Sequence, residues 1–234
     1  MAGVASAGEF QVEPTRLDLA RRGAATELTI TNRGHAAARF EAKIFAWHQD
    51  AQGAMQLEPA LDMVVYPTLF TVEPGAKRSI RIATSAAPAA TERTFRVFVE
   101  ELPGKATAAT AGAPTTVAVL TRIGVPIFLA PTTAVVRGDV AGSIQPGALQ
   151  LALANHGTVH VKVASVRVVG SDGSGNVLFD RSQAGWYVLA GESRAYTLPL
   201  DAHDCAGLDH VAIAATTDRG AWQTTLTGGC LGAP

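Results

Sequence analysis

The sequence predicts an all-β protein, and three observations carry that prediction. Short runs alternate apolar and polar residues along the whole chain, separated by Gly, Pro and Asn turns, and no long helix-period run interrupts them. The second half repeats the first: ELTITNRGHAAARFEAKI at residues 27–44 answers to QLALANHGTVHVKVASVR at residues 150–167. VEPGAKRSIRI at residues 72–82 answers to VLAGESRAYTL at residues 188–198. Between the halves lies one stretch, TTVAVLTRIGVPIFLAP at residues 115–131, that is apolar on both faces. Short strands at regular spacing, in two copies, predict two immunoglobulin-like β-sandwich domains in tandem, residues 8–130 and 131–234. The linker near Ala130-Pro131 is very short, which predicts an L-shaped pair with a cleft between the domains.

The elements follow in order. Residues 10–20 alternate but contain Pro14, which makes them an edge strand. Residues 24–32 form a second strand with Leu28 and Ile30 inward, ended by the Asn32-Arg33-Gly34 turn. Residues 38–47 form a third, with Phe40, Ala42, Ile44 and Ala46 on one face and Arg39, Glu41, Lys43, Phe45 and Trp47 on the other. Residues 63–71 give two short strands broken at Tyr66-Pro67, and Val72-Glu73-Pro74-Gly75 is a turn. Strands follow at residues 77–83 and 94–101, then an Ala/Thr/Gly-rich mobile loop at residues 104–114. In the long central strand, Val117, Val119, Thr121, Ile123 and Val125 share one face; Ala118, Leu120, Arg122 and Gly124 share the other. In the second half, strands at residues 177–180, 210–216 and 221–226 follow the repeated Asn turn, with a Gly/Ser/Asp hairpin at residues 170–176.

Bulk properties narrow the function. The 234 residues suffice for two cores, and 19 Lys+Arg against 20 Asp+Glu give no reason to expect nucleic acid or an anionic membrane surface as partner. No apolar stretch reaches membrane-spanning length, so no direct membrane insertion is expected. Ala5-Ser6-Ala7 resembles the end of a signal-peptide cleavage site whose basic and apolar regions are not in the sequence. The only cysteines are Cys205 and Cys230, compatible with one disulfide in an oxidising compartment.

Enzyme signatures are missing: no phosphate-cradling glycine loop, no HExxH and no GxSxG elbow occurs. His35 and His156 follow the repeated turns and read as loop residues. His203, Cys205 and His210 admit a metal-ligand reading, against which stands a Cys205–Cys230 disulfide pinning the last strand beside two bystander histidines. Neither a metal nor a cofactor is expected. The arginines say more. Arg16, Arg96 and Arg122 sit among apolar neighbours on three strands. A strand arginine ordinarily points to solvent. Three on neighbouring strands, aimed one way, would form a cationic pocket whose planar forks fit a carboxylate.

PTRLDL at residues 14–19, VEPGAKRSIRI at 72–82, FRVFVEELP at 95–103 and the central strand resemble, in order, the periplasmic pilus-assembly chaperones of the PapD-like family. WHQD at residues 47–50 and RIGVPIF at 122–128 are most similar to the archaic, spore-coat-type branch. The resemblance covers most of the first domain; the second is similar mainly in layout. It implies a non-enzymatic periplasmic chaperone that folds and caps pilin subunits and delivers them to an outer-membrane usher. A pilin subunit of this kind lacks its last strand, and the chaperone lends its long seventh strand to fill the gap. Val117, Val119 and Thr121 occupy that register, with Ile123 following. Each fully buried valine would contribute about 1.5–3 kcal/mol. The resemblance also implies that basic residues hold the subunit's terminal carboxylate. Arg96 and Arg122 are the first candidates and Arg16 the third. The family lysine of the seventh strand is replaced: the nearest position is Gly124, and the strand's basic residue is Arg122. Glu101 matches an acidic residue of the family near the domain junction, with no evident basic partner. A self-capping homodimer of the free chaperone is compatible with so apolar a strand.

Two other readings compete. A structural pilin or adhesin of tandem sandwiches would need an N-terminal donor extension, for which residues 3–8 are too small and short. A metal-dependent enzyme would rest on His203 and His210.

Overall fold

The structure, a computed structural model, describes residues 9–20, 23–104 and 119–230. It is almost entirely β and divides into two compact units. One comprises Met1–Trp47, Leu57–Ala89 and Arg93–Ala130; the other comprises His48–Gln56, Ala90–Glu92 and Pro131–Pro234.

The strands of the first half are β1 (Phe10–Glu13), β2 (Leu17–Leu19), β3 (Ala25–Asn32), β4 (Ala38–Gln49), β5 (Met55–Pro59), β6 (Met63–Tyr66), β7 (Leu69–Val72), β8 (Lys77–Thr84), β9 (Arg93–Leu102) and β10 (Arg122–Leu129). One sheet runs β1-β3-β8-β6; the other runs β2-β10-β9-β4-β5, with β7 beside β4. Between them Leu28, Ile30, Phe40, Ile80, Val97 and Ile127 are fully enclosed. Alternation explains which face turns in: Phe95, Val97 and Val99 of β9 are buried, and Arg96, Phe98 and Glu100 share the opposite face.

The second half contributes β11 (Gly138–Gln145), β12 (Ala148–Asn155), β13 (Val161–Asp172), β14 (Val177–Ala184), β15 (Tyr187–Val188), β16 (Ser193–Pro199), a short helix α1 (Ala202–Cys205), β17 (Leu208–Thr217) and β18 (Gly220–Thr227). Its sheets are β11-β12-β16 and β14-β13-β17-β18, with β15 on β13. Leu149, Leu153, Val161, Val166 and Ile213 form its core.

The internal repeat has a physical cause at Asn32 and Asn155, both buried polar residues. Asn32 Nδ2 donates to the carbonyls of Ala36 (2.8 Å) and Val72 (2.9 Å), and its Oδ1 accepts from Gly34 N (2.9 Å). Asn155 Nδ2 donates to Val159 (2.8 Å) and Val188 (3.0 Å), and its Oδ1 accepts from Gly157 N (2.9 Å). The backbone completes both corners: Gly75 N donates to Asn32 O and Gly191 N to Asn155 O. Both of those glycines have positive φ, 71° and 76°.

Four details depart from the sequence expectation. The first strand is two, β1 on β3 and β2 parallel to β10, because Pro14 between them has no N–H for a ladder. Strand β5 was not predicted, since nearly all of its residues are exposed and no alternation marks it. Strand β11 was hidden by inward-facing Gly142 between Val140 and Ile144. Helix α1 is four residues long, too short for a period, and is held by a capping box between Asp201 and Asp204.

Candidate functional site

The site is an edge of β10. Antiparallel pairing with β9 runs from Arg122↔Glu100 to Leu129↔Arg93. On its other side β10 meets β2 only at Ile127, Phe128 and Leu129. The upstream part, from Arg122 to Pro126, therefore has an unpaired edge among the described residues. Just ahead of it, Val119 and Leu120 are 48% and 45% exposed. Exposed hydrophobes leading into an open strand edge form a template for another strand. Val117 lies outside the described residues.

Glu101 fixes where this edge begins. Its backbone N–H donates to Thr121 O at 2.8 Å, and its carboxylate accepts from Thr121 N at 3.1 Å. Ile123 packs against the unit's own core and Val125 is buried. The ribbon thus changes role along its length: exposed at Val119, half-covered at Thr121 and Ile123, enclosed from Val125 onward.

The structure separates the three arginines into two places. Pairing sets Arg96 level with Pro126 on β10 and with Phe45 on β4. Leu17 is level with Ile127 in the parallel pair, so Arg16, one residue earlier, is level with Pro126 as well. Arg16 reaches Asp18 at 3.0 Å on the side of β2 opposite buried Leu17 and Leu19. Arg16 and Arg96 thus flank the same residue on adjacent strands, about 10 Å apart at the backbone. Arg122 lies four residues upstream of Pro126, about 13 Å along the strand.

Their surroundings differ too. The Arg96 guanidinium carbon lies 4.8 Å from the centroid of the Trp47 ring, and Trp47 and Phe128 are both buried on this face. Arg122 Nε bonds Glu100 at 2.6 Å, and its guanidinium lies over Phe98 at 4.1 Å. Gly124, opposite Phe98, explains how that ring fits: a Cβ at Gly124 would come within 2.8 Å of Phe98 Cε1. Sequence reasoning missed Phe98, Glu100 and Trp47 as companions of the arginines. The signal was present in the alternation of β4 and β9, which puts all three on the arginine face.

Cys205 and Cys230 form a disulfide (S–S 2.00 Å), which takes the Cys205 sulfur away from the metal-ligand reading. His210 pairs with Asp209 at 2.8 Å. Among the described residues no group of three or more His, Cys, Asp or Glu could hold a metal ion.

The family described as "Pili and flagellar-assembly chaperone, PapD N-terminal domain" matches residues 9–134, more than half of the 234-residue chain. The chain belongs to this family. Its fold and family are those of non-enzymatic pilus chaperones. No curated protein matches it in sequence. Among solved structures, it is similar to a chain of the CsuC–CsuE chaperone–tip adhesion subunit pre-assembly complex from the archaic Csu pili of Acinetobacter baumannii. That match has 18% identity and a TM-score of 0.63 over 93% of this chain and 97% of the other. It is similar also to a chain of the Salmonella enterica SafA pilin–SafB chaperone complex, with 16% identity and TM-score 0.60 over 97% and 99% of the two chains. The E. coli chaperone DraB gives 17% identity and TM-score 0.57 over 97% and 98%. At these identities the likeness is one of fold.

Proposed function

We propose that this chaperone captures pilin-type subunits by donating the ribbon of residues 117–123 to a client sandwich that lacks a strand. The observation that carries the proposal is the unpaired upstream edge of β10 together with the exposed apolar residues before it. Val117, Val119 and Thr121 are the donated side chains; Ile123, seated on the chaperone's own core, marks where donation ends.

The client's terminal carboxylate docks at Arg96, with Arg16 as the second fork. The shared row through Pro126 supports this pairing. Arg122, four residues upstream of the row through Pro126 and bonded to Glu100, orients the donated ribbon instead. Charge-assisted hydrogen bonds of this kind contribute about 1.5–3 kcal/mol each. The protein works in the periplasm, as pilus chaperones of this family do, and hands its clients to an outer-membrane usher. Its place in the archaic branch is supported by the Csu chaperone likeness and by RIGVPIF at residues 122–128.

The test is site-specific photocrosslinking. A benzophenone residue at Val119 or Thr121, in protein expressed with its pilin, is expected to crosslink to the pilin; the same probe at exposed Thr197 of β16 is not. Crosslinks from Thr197 alone, with a stable complex present, would refute strand donation here.

A further inference from the structure

The second unit carries an edge of a different kind. β18 ends the sheet β14-β13-β17-β18 and pairs with β17 alone. The other outer strands of this unit are guarded: β14 carries Asp180 and Arg181, β16 carries Arg194 and Pro199, and β11 carries Asp139. β18, Gly-Ala-Trp-Gln-Thr-Thr-Leu-Thr, has no charge and no proline, and its register with β17 is unbroken by a bulge. Beside it a groove of about 530 Å³ is lined by Gly142, Ser143 and Ile144 of β11 and by Thr225, Leu226 and Gly228. Ile144 and Leu226 are only partly buried there.

We infer that β18 is a self-association edge whose occupant is the β18 of a second copy, paired antiparallel about Thr224. Three features support this choice. The two-residue turn at Asp218-Arg219 makes Thr217↔Gly220 the hydrogen-bonded closing pair of the hairpin. Alternation then points the N–H and C=O groups of Ala221, Gln223, Thr225 and Thr227 away from β17. In a pair centred on Thr224 those residues meet as Gln223 with Thr225 and Ala221 with Thr227, so every outward group finds a partner. On the inner face Trp222 meets Leu226, apolar against apolar, next to half-covered Ile144. Finally, the arrangement carries the second copy's turn residue Arg219 toward Gly228, whose N–H is bonded to Asp209 O. The Asp209 carboxylate is 51% exposed and of opposite sign. No like charges meet along the strand.

One strand pair of eight residues buries less than the roughly 1,200 Å² of a stable interface, so the dimer forms only at high concentration. Sedimentation velocity on the purified protein from about 5 µM to about 0.5 mM should show concentration-dependent dimer. Thr225→Pro removes an outward N–H and leaves the β17 ladder intact, so it should weaken the dimer at least about tenfold without lowering client capture. Val119→Glu, at the other edge, should leave the dimer unchanged. Thr224→Cys should form a symmetric disulfide-linked dimer, because residues facing across a non-hydrogen-bonded antiparallel pair have Cβ atoms about 4.5–5.5 Å apart. A Ser182→Cys control on β14 should not. A protein monomeric throughout that range, or a dimer lost in Val119→Glu and kept in Thr225→Pro, would overturn the inference.

Discussion

Arg122 lies over the ring of Phe98, its guanidinium carbon 4.1 Å from the ring centroid, at the start of the open edge of β10. The contact exists because Gly124, across the strand pair, has no side chain to push the ring away. Glu100 completes the arrangement by taking Arg122 Nε at 2.6 Å. A glycine, an aromatic, an acid and a cation on two neighbouring strands thus pack together at the open edge of β10.

The first prediction concerns that glycine. In Gly124→Ala the new Cβ would sit 2.8 Å from Phe98 Cε1, so the ring must leave and Arg122 loses its platform. Overpacking of this kind costs about 1–3 kcal/mol. Urea denaturation should show the loss. Phe98→Leu in the same background should restore part of it, because a smaller side chain clears the clash.

The two asparagine corners should matter alike. Asn32→Ala strands the carbonyls of Ala36 and Val72 and the N–H of Gly34; Asn155→Ala strands the equivalent groups of Val159, Val188 and Gly157. Each should destabilise its unit by about 2–3 kcal/mol, the cost of leaving buried polar groups unmade. Hydrogen exchange, read unit by unit, should show the first change loosening β3 and β7 and the second loosening β12 and β15.

Acid should weaken two hairpins together. Backbone N–H groups of Ala54, Gln52 and Gly53, with the Gln56 amide, hold the Asp50 carboxyl below its ordinary value, the Ala54 bond contributing most. The Asn176 side chain, then its backbone N–H, does the same for Asp172, helped by Ser174 and Gly175. A carboxyl lowered on folding stabilises above its unfolded pKa and loses that contribution as pH falls through the folded value. Both losses therefore fall below about pH 4. Asp50→Asn and Asp172→Asn should flatten the melting temperature against pH in that window and leave the slope above pH 5 unchanged.

These hairpins also show what the sequence made legible. The asparagine corners were readable because both copies spell Asn-x-Gly before a strand of alternating hydrophobes. The matching Asp turns, DAQGA at residues 50–54 and DGSGN at residues 172–176, repeat as well, each with a glycine of positive φ, 80° and 85°. The first was missed because the strand after it, β5, is exposed and shows no period. Strand β10 was legible from its run of apolar residues. The grouping of the arginines was not, because it depends on register: a parallel pair between β2 and β10 sets Arg16 level with Arg96, and strand pairing at that distance leaves no trace in local sequence.

The disulfide should be a staple of the second unit. Cys205 and Cys230 are separated by 25 residues, and closing a loop of that size restrains the unfolded chain by about 3 kcal/mol. Cys205 also ends α1, whose Asp204 is bonded by Arg181 at 2.7 Å, so the bridge fastens the end of β18 to a helix already held to β14. The double variant Cys205→Ser, Cys230→Ser should unfold at lower urea, and dithiothreitol should do the same to the native protein but not to the variant. Equal midpoints for the native protein and the variant, both without reductant, would show that the bridge is dispensable.

The arginines give the sharpest distinction. If one carboxylate is gripped by Arg96 and Arg16, then Arg96→Ala and Arg16→Ala should be non-additive, since either change spoils the same site. Arg122→Ala, about 13 Å away along β10, should add independently to both. With the pilin co-expressed, the retained fraction should fall most in Arg96→Ala, by about tenfold or more for the loss of one charge-assisted bond. The Arg122 effect should be reproduced by Glu100→Gln, because that residue acts by orienting the ribbon rather than by holding the client. A client whose terminal carboxylate is amidated separates the roles directly: it should bind the native protein and the Arg96→Ala variant equally, and should still lose affinity on Arg122→Ala.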